Sequence, residues 1–186
     1  MLGQMIGSGR SDMWFDILKT NTRIAMSNSP KLIDKTYDQN SPTLIGKKPH
    51  GLWYSFSMGK PKSSWLRWLF TSMPEWLKNY DYFLEIDVSS ASIKKIETKE
   101  QVLDFHDRYE EEDYEKERLI DWGKVAKDYD GIEVRNPKAL MSFPGGSWLW
   151  GWDVDSGCIW NTQSISVVKV KPIEKRHRLT AYTLID

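Results

Sequence analysis

Short runs with a two-residue hydrophobic period recur along this chain, and helical segments are set between them. Tyr82, Leu84, Ile86 and Val88 alternate with Phe83, Glu85 and Asp87, the pattern of a half-buried strand. Arg23 to Met26, Gly51 to Ser57, Ile132 to Arg135 and Ser164 to Val170 read as further strands, and Thr180 to Ile185 as another. Trp148, Trp150, Trp152 and Val154 alternate strictly, which predicts a strand with three indoles on one face. Thr98-Lys99-Glu100-Gln101 has the form of a capping box, a polar cap answered by a glutamine three residues on. Val102, Phe105 and Tyr109 continue it as an amphipathic helix. A further helix opens at Asp121, with Ile120 and Val125 at the two positions of a hydrophobic staple. Strands with helices inserted between them, in no regular βαβ order, predict an α+β fold.

The remaining segments are less regular. Residues 1 to 11 hold three glycines and read as a flexible arm, and Asp12 to Lys19 as a short helix. Asn28 to Lys48 is rich in Pro, Asn, Asp and Ser and reads as a long loop, a type that often carries function. Trp65, Trp68 and Leu69 have helical spacing, and Pro74 suits the first turn of a second helix carrying Trp76 and Leu77. Gly59-Lys60-Pro61, Pro144-Gly145-Gly146 and Asp155-Ser156-Gly157 read as turns. With 186 residues and no clear linker, a single domain over 1–186 is expected.

Composition narrows the classes of function. The 26 basic and 26 acidic side chains cancel, so no overall field steers the protein to nucleic acid or to an anionic membrane. An acidic run from Glu110 to Glu117 and a basic one from Lys169 to Arg178 read as solvated surface. Cys158 is the only cysteine and the three histidines are far apart, so neither a disulfide nor a metal motif is expected. No apolar stretch is long enough to span a bilayer. A cytoplasmic protein without membrane contact is the resulting expectation.

Two segments concentrate the chemistry. Lys48-Pro49-His50-Gly51-Leu52-Trp53-Tyr54-Ser55 places a histidine, a glycine, two large aromatics and a hydroxyl at the mouth of a short strand. That composition suits a flat, polar, ring-bearing ligand. Trp53 and Tyr54 point to opposite faces, so only one can line a site, and Ser55 and Ser57 share a face with Trp53. The second segment is Gly131-Ile132-Glu133-Val134-Arg135. Glu133 and Arg135 face away from Ile132 and Val134, so the Glu133 carboxylate either serves a sugar ligand or forms a solvated pair with Arg135. Arg23, in an otherwise apolar strand, suits a ligand phosphate or a surface salt bridge. No Gly-rich phosphate loop follows a strand and opens a helix.

The order of these segments resembles ADP-ribosyltransferase-like proteins of the phage and bacterial toxin type. The resemblance rests on the His50 to Ser55 segment, on Phe83-Leu84-Glu85-Ile86-Asp87-Val88, on Tyr129-Asp130-Gly131-Ile132-Glu133 and on Trp152-Asp153-Val154-Asp155-Ser156-Gly157-Cys158-Ile159-Trp160. It covers roughly residues 22 to 162. It implies a single NAD-binding domain over 12–186, an α+β fold whose split mixed or antiparallel sheet surrounds a cleft with flanking helices. NAD is then a substrate, cleaved between nicotinamide and ribose, with ADP-ribose passed to a macromolecular acceptor, nucleic acid or protein.

In that scheme Glu133 is the catalytic carboxylate, and the NAD contacts fall among Arg23, His50, Gly51, Trp53, Tyr54 and Ser55. His50-Gly51 matches one version of the first motif, and Arg23 with Ser55 and Ser57 matches the other. Trp53 or Tyr54 stacks on nicotinamide. Gly131 stands where arginine-modifying members carry a second glutamate, which turns the expectation toward another acceptor. A toxin or antiphage effector of this type can also have an antitoxin or inhibitor protein as partner. The alternative expectation is a non-enzymatic binding module, whose aromatic face of Trp148, Trp150 and Trp152 recognises a protein or nucleic acid.

Overall fold

A computed structural model describes residues 23–40, 48–56, 68–69, 72–111 and 119–173. The arm at 1–11, the helix at 12–19, Ser57, the turn at 59–61, Trp65 and the strand at 180–185 lie outside the described residues, as do most of the acidic run and the end of the basic one. Among the described residues there are nine strands: β1 Arg23–Ser27, β2 Leu52–Phe56, β3 Tyr82–Asp87, β4 Ile93–Ile96, β5 Glu110–Glu111, β6 Leu119–Ile120, β7 Gly131–Val134, β8 Ser156–Ile159 and β9 Ser166–Pro172. Seven of them form one sheet in the order β4-β7-β8-β2-β1-β3-β9, and β5 and β6 pair separately. The class is α+β with a mixed sheet: β4 and β7 are parallel, and the other neighbours are antiparallel.

Helix α1, Lys99–Tyr109, and helix α2, Trp122–Asp128, lie between β4 and β7 in the chain. They supply the crossover that a parallel pair requires. Both caps read from the sequence are formed. The Thr98 hydroxyl accepts from the Gln101 amide while the Gln101 side chain accepts from the Thr98 amide, and Asp121 accepts from the amide of Lys124. Ile120 and Val125 are both buried in the core beneath α2. A short α3, Pro137–Leu140, follows β7.

The tryptophan-rich segment is not a strand. Ser147–Leu149 is a 3-10 turn, fed by a positive-φ Gly145 and followed by a positive-φ Gly151. Glycines at both ends allow a compact coil there, and the coil overrides the two-residue period. Trp148 and Trp152 are buried, at 5% and 2% exposure, while Trp150 stands out at 69%. The expected face of three indoles therefore does not form. Pro74–Asn79 is likewise a 3-10 helix, opened by its proline.

Each face of the sheet has its own core. Ile132, Val134 and Cys158 point toward α1 and α2 and join Phe105, Trp122, Trp148 and Trp160. Phe105 lies 5.0 Å from Tyr109 and 5.1 Å from Trp148, ring to ring. Farther along that face Ile24, Met26 and Phe83 pack with Leu69 and Leu77. The opposite face carries Ala25, Tyr54, Phe56, Leu84, Ile86 and Ile159. Register fixes this division, because a one-residue slip exchanges the two faces of a strand. The expected split sheet is one continuous seven-stranded sheet, since β2 and β8 join its two ends by direct pairing. Among the described residues no helix is long and apolar enough to cross a membrane.

Ile132 is fully buried against the helices. Ile132→Ala is expected to cost about 2–5 kcal/mol, seen as a lower denaturant midpoint with an unchanged slope.

Candidate functional site

Glu133 lies on β7, one strand in from the edge strand β4. Its strand is tied down at the start. Asp130 accepts from the Ser92 amide and the Asn161 side chain, at 2.9 and 2.7 Å, and its carbonyl receives the Trp160 amide. Because Ile132 and Val134 take the helix face, Glu133 is turned to the opposite one. Its side chain is 1% exposed.

Two groups come to meet it there. The Nε of Arg23 donates to Glu133 Oε1 at 2.5 Å. The Tyr54 hydroxyl donates to the same oxygen at 3.0 Å. Glu133 Oε2 is buried and has no hydrogen-bond partner among the described residues. Arg23 forms the rim of the cluster, its side chain 24% exposed, whereas Tyr54 is sealed beneath it. The solvated Glu133–Arg135 pair does not form; Arg135 instead reaches Glu97 at 3.0 Å and stacks over the Phe56 ring.

Strand register explains how Tyr54 reaches a carboxylate two strands away. Tyr54 pairs with Gly157 on β8, and Gly157 pairs with Glu133 on β7. Gly157 offers no side chain, so the phenol ring lies across it. A Cβ at position 157 would fall 2.2 Å from the ring's Cζ and 2.5 Å from its hydroxyl. Asp155-Ser156-Gly157 is therefore not a turn; its glycine sits within β8 and meets a close approach, the other use of glycine in strands.

Electrostatics agrees with this placement. Burial works to lower the Arg23 pKa, but its hydrogen bond and charge pairing with Glu133, with Tyr54 adding to them, raise it overall. Tyr54 is pushed well above the ordinary phenol value, first by burial and then by the Glu133 charge. Its hydroxyl keeps its proton and serves as a donor. A buried carboxylate is costly unless it is paired and hydrogen-bonded, and Arg23 and Tyr54 meet that condition at one oxygen only.

The other predicted site residues lie elsewhere. Trp53 and Ser55 point to the helix side of β2, away from Glu133; Trp53 packs on Trp152 at 4.9 Å. Ser55 pairs in register with Ile24, and its buried hydroxyl finds no partner among the described residues. An arrangement of Arg23, Ser55 and Glu133 on one face is thus not formed. Tyr54 is on the right face but has no exposed surface on which a ring can stack.

His50 precedes Tyr54 by four residues, a backbone span of about 13 Å at strand rise. It is held by Gln39, which accepts from the His50 amide at 3.0 Å and donates to its carbonyl at 2.8 Å. Gly51 approaches the Ile159 carbonyl so closely that a Cβ would fall 2.2 Å from it. These two residues anchor the entry to β2. Among the described residues no group of His, Cys, Asp and Glu is placed to hold a metal ion.

Gly157 and the Tyr54 hydroxyl were missed as parts of the site. The available signal was a glycine flanked by the hydrophobic run Cys158-Ile159-Trp160, which reads as a strand as well as the end of a turn. Comparisons with protein families, with curated proteins and with solved structures find no match to this chain.

Arg23→Met strips the carboxylate of its counter-charge. It is expected to cost about 3 kcal/mol in denaturant unfolding, the lower end for broken buried pairs because Arg23 is partly exposed, and Arg23→Lys should recover part of that. Stability should also fall with rising pH above the unfolded thiol value of 9.0, because full burial raises Cys158 well above it and Tyr54 and Tyr37 are raised as well. The folded state then holds protons that the unfolded state releases, which makes the slope negative. Melting temperatures between pH 7 and pH 11 test the sign.

Proposed function

We propose that the Arg23–Tyr54–Glu133 cluster is the catalytic centre of a NAD-dependent ADP-ribosyltransferase, an effector of the toxin or antiphage type. The observation that carries the reading is the convergence of Arg23 and Glu133. They are 110 residues apart in the chain, yet they meet at 2.5 Å, with the other carboxylate oxygen unpartnered among the described residues. The resemblance of the Tyr129 to Glu133 segment supplies the reaction class.

When bound, NAD supplies a cationic nicotinamide leaving group: the bond from ribose carbon to nitrogen breaks, the electron pair departs with nicotinamide, and an acceptor oxygen or nitrogen bonds to that carbon and gives up its proton. Glu133 is suited to accept a ribose hydroxyl at Oε2 and to stabilise positive charge developing on the sugar. Arg23 pairs with the carboxylate and, from the rim, has donors left over for a phosphate. Tyr54 excludes water from beneath the carboxylate.

The Arg23 version of the first motif has more support than the His50 version, because Arg23 is beside Glu133 and His50 lies two residues before β2 begins, four residues from Tyr54. It has that support without the serine, since Ser55 faces the other way.

The acceptor is read as a macromolecule other than an arginine side chain. A Cβ at Gly131 would lie 2.7 Å from the Cys158 carbonyl oxygen and 2.9 Å from Ile159, so the site has no room for a second glutamate at that position. A nucleic-acid base or a non-arginine protein side chain fits a single carboxylate. The alternative of an aromatic binding face has less support, with Trp148 and Trp152 buried.

Incubation of the protein with labelled NAD and cell lysate tests the reading. Wild type is expected to label a macromolecular fraction, and Glu133→Gln to lower the rate by at least about a hundredfold, in the range for loss of electrostatic stabilisation at a transition state. Equal labelling by the two proteins, or no labelling and no NAD binding by either, removes the assignment.

A further inference from the structure

We infer that Tyr54 is a positioning residue, which reaches through the gap left by Gly157 to occupy Glu133 Oε1 and so leaves Oε2 as the oxygen that acts on the ligand. The inference rests on the proposed transferase reading for the identity of the ligand, but not for the geometry of the carboxylate. Both donors are on the same oxygen: Arg23 Nε at 2.5 Å and the Tyr54 hydroxyl at 3.0 Å. Oε2 is equally buried and is left with no partner among the described residues.

A buried hydroxyl is costly unless it is hydrogen-bonded, so a phenol with no exposure has a reason to be there only if its bond to Glu133 matters. Phenylalanine would fill the same space. The ring's direction is equally specific. It crosses β8 at the one residue without a side chain, where a Cβ would meet ring atoms at 2.2 to 2.6 Å. Tyr54 meets the ligand only through Glu133, because its hydroxyl is engaged on Oε1 and its ring lies across Gly157 on the far side of the carboxylate from the Arg23 rim. Its action therefore passes through Glu133. With two donors on Oε1 the carboxylate cannot rotate to exchange its oxygens, and the free lone pairs of Oε2 keep a fixed direction. Tyr54 stays protonated because burial and the Glu133 charge raise its pKa, so this donation persists across the neutral range.

Tyr54→Phe removes only the hydroxyl and keeps the packing. Infrared difference spectra of protein carrying isotope-labelled glutamate read the carboxylate stretches directly. They are expected to shift between wild type and Tyr54→Phe, and to show no such shift in a Glu133→Gln background. In NAD turnover, Tyr54→Phe should lower kcat with KM nearly unchanged, by up to about a hundredfold if the carboxylate moves by an ångström. Gly157→Ala should lower kcat in the same sense by displacing the ring. Since this variant also risks instability, Tyr54→Phe carries the decision.

Unchanged carboxylate bands in Tyr54→Phe overturn the inference whatever the activity. Changed bands with full kcat overturn the positioning role. Changed bands in a protein whose wild type neither binds nor cleaves NAD uphold the geometry and remove the transferase reading instead.

Discussion

A single buried carboxylate sets the terms for the central strands. Glu133 is on β7, its cation is on β1, and β8 and β2 lie between them. The contact exists only if all four strands are in register and the middle of the sheet leaves a passage. Tyr54 and Gly157 make that passage: the tyrosine ring fills it and the glycine opens it. A shift of one residue in β2 would send Tyr54 to the helix face and leave Glu133 with Arg23 alone. Pairing across these strands and solvation of the carboxylate are thus one requirement.

The two faces divide the work. Toward α1 and α2 the sheet is apolar and aromatic, with Phe105, Trp122, Trp148 and Trp160 around Ile132 and Val134. Most of the hydrophobic stabilisation of β7 comes from there, at about 1.5–3 kcal/mol for each large buried side chain. The other face is apolar over β1, β2 and β3 but polar where β7 crosses it. Glu133 is held in place on that face by a strand whose opposite side is well packed. Lys95, its neighbour in register on β4, is exposed, so the buried charge lies one strand in from the sheet's wet edge.

Local signals were legible in the sequence and long-range ones were not. The capping box at Thr98, the cap at Asp121 and its staple depend on residues within a few positions of each other; both caps are formed as read, and the two staple residues are buried in the same core. So is the outward turn of Glu133 relative to Ile132 and Val134, which follows from the two-residue strand period. The Trp148 to Val154 alternation misled because Gly145 and Gly151 bend the backbone, and period alone takes no account of positive φ. Tyr54 lies on the strand read for it, but its ring is buried and its hydroxyl is bonded to Glu133, so it offers no stacking surface. Nothing within five residues of it shows that Gly157, about a hundred positions later, leaves room for its hydroxyl to find a carboxylate. Whether Arg23 or His50 stands beside Glu133 was closed to sequence for the same reason, since it turns on how β1 and β2 are set across β8 from β7.

An ion pair of this kind is a poor way to gain stability. Replacing buried charges with well-packed apolar groups is often neutral or stabilising, and the strands around Glu133 are already rich in Ile, Leu and Val. If Glu133 served only to hold Arg23, a pair satisfied at both carboxylate oxygens would hold it better. Instead, among the described residues, one oxygen carries two donors and the other carries none, although both are buried. A buried acceptor left without a partner costs about 1–3 kcal/mol, a cost that a purely structural pair has no reason to carry. On the proposed reading the imbalance serves a hydroxyl that arrives from outside, with Arg23 at the rim to receive it and Tyr54 at the base to keep the carboxylate from turning away.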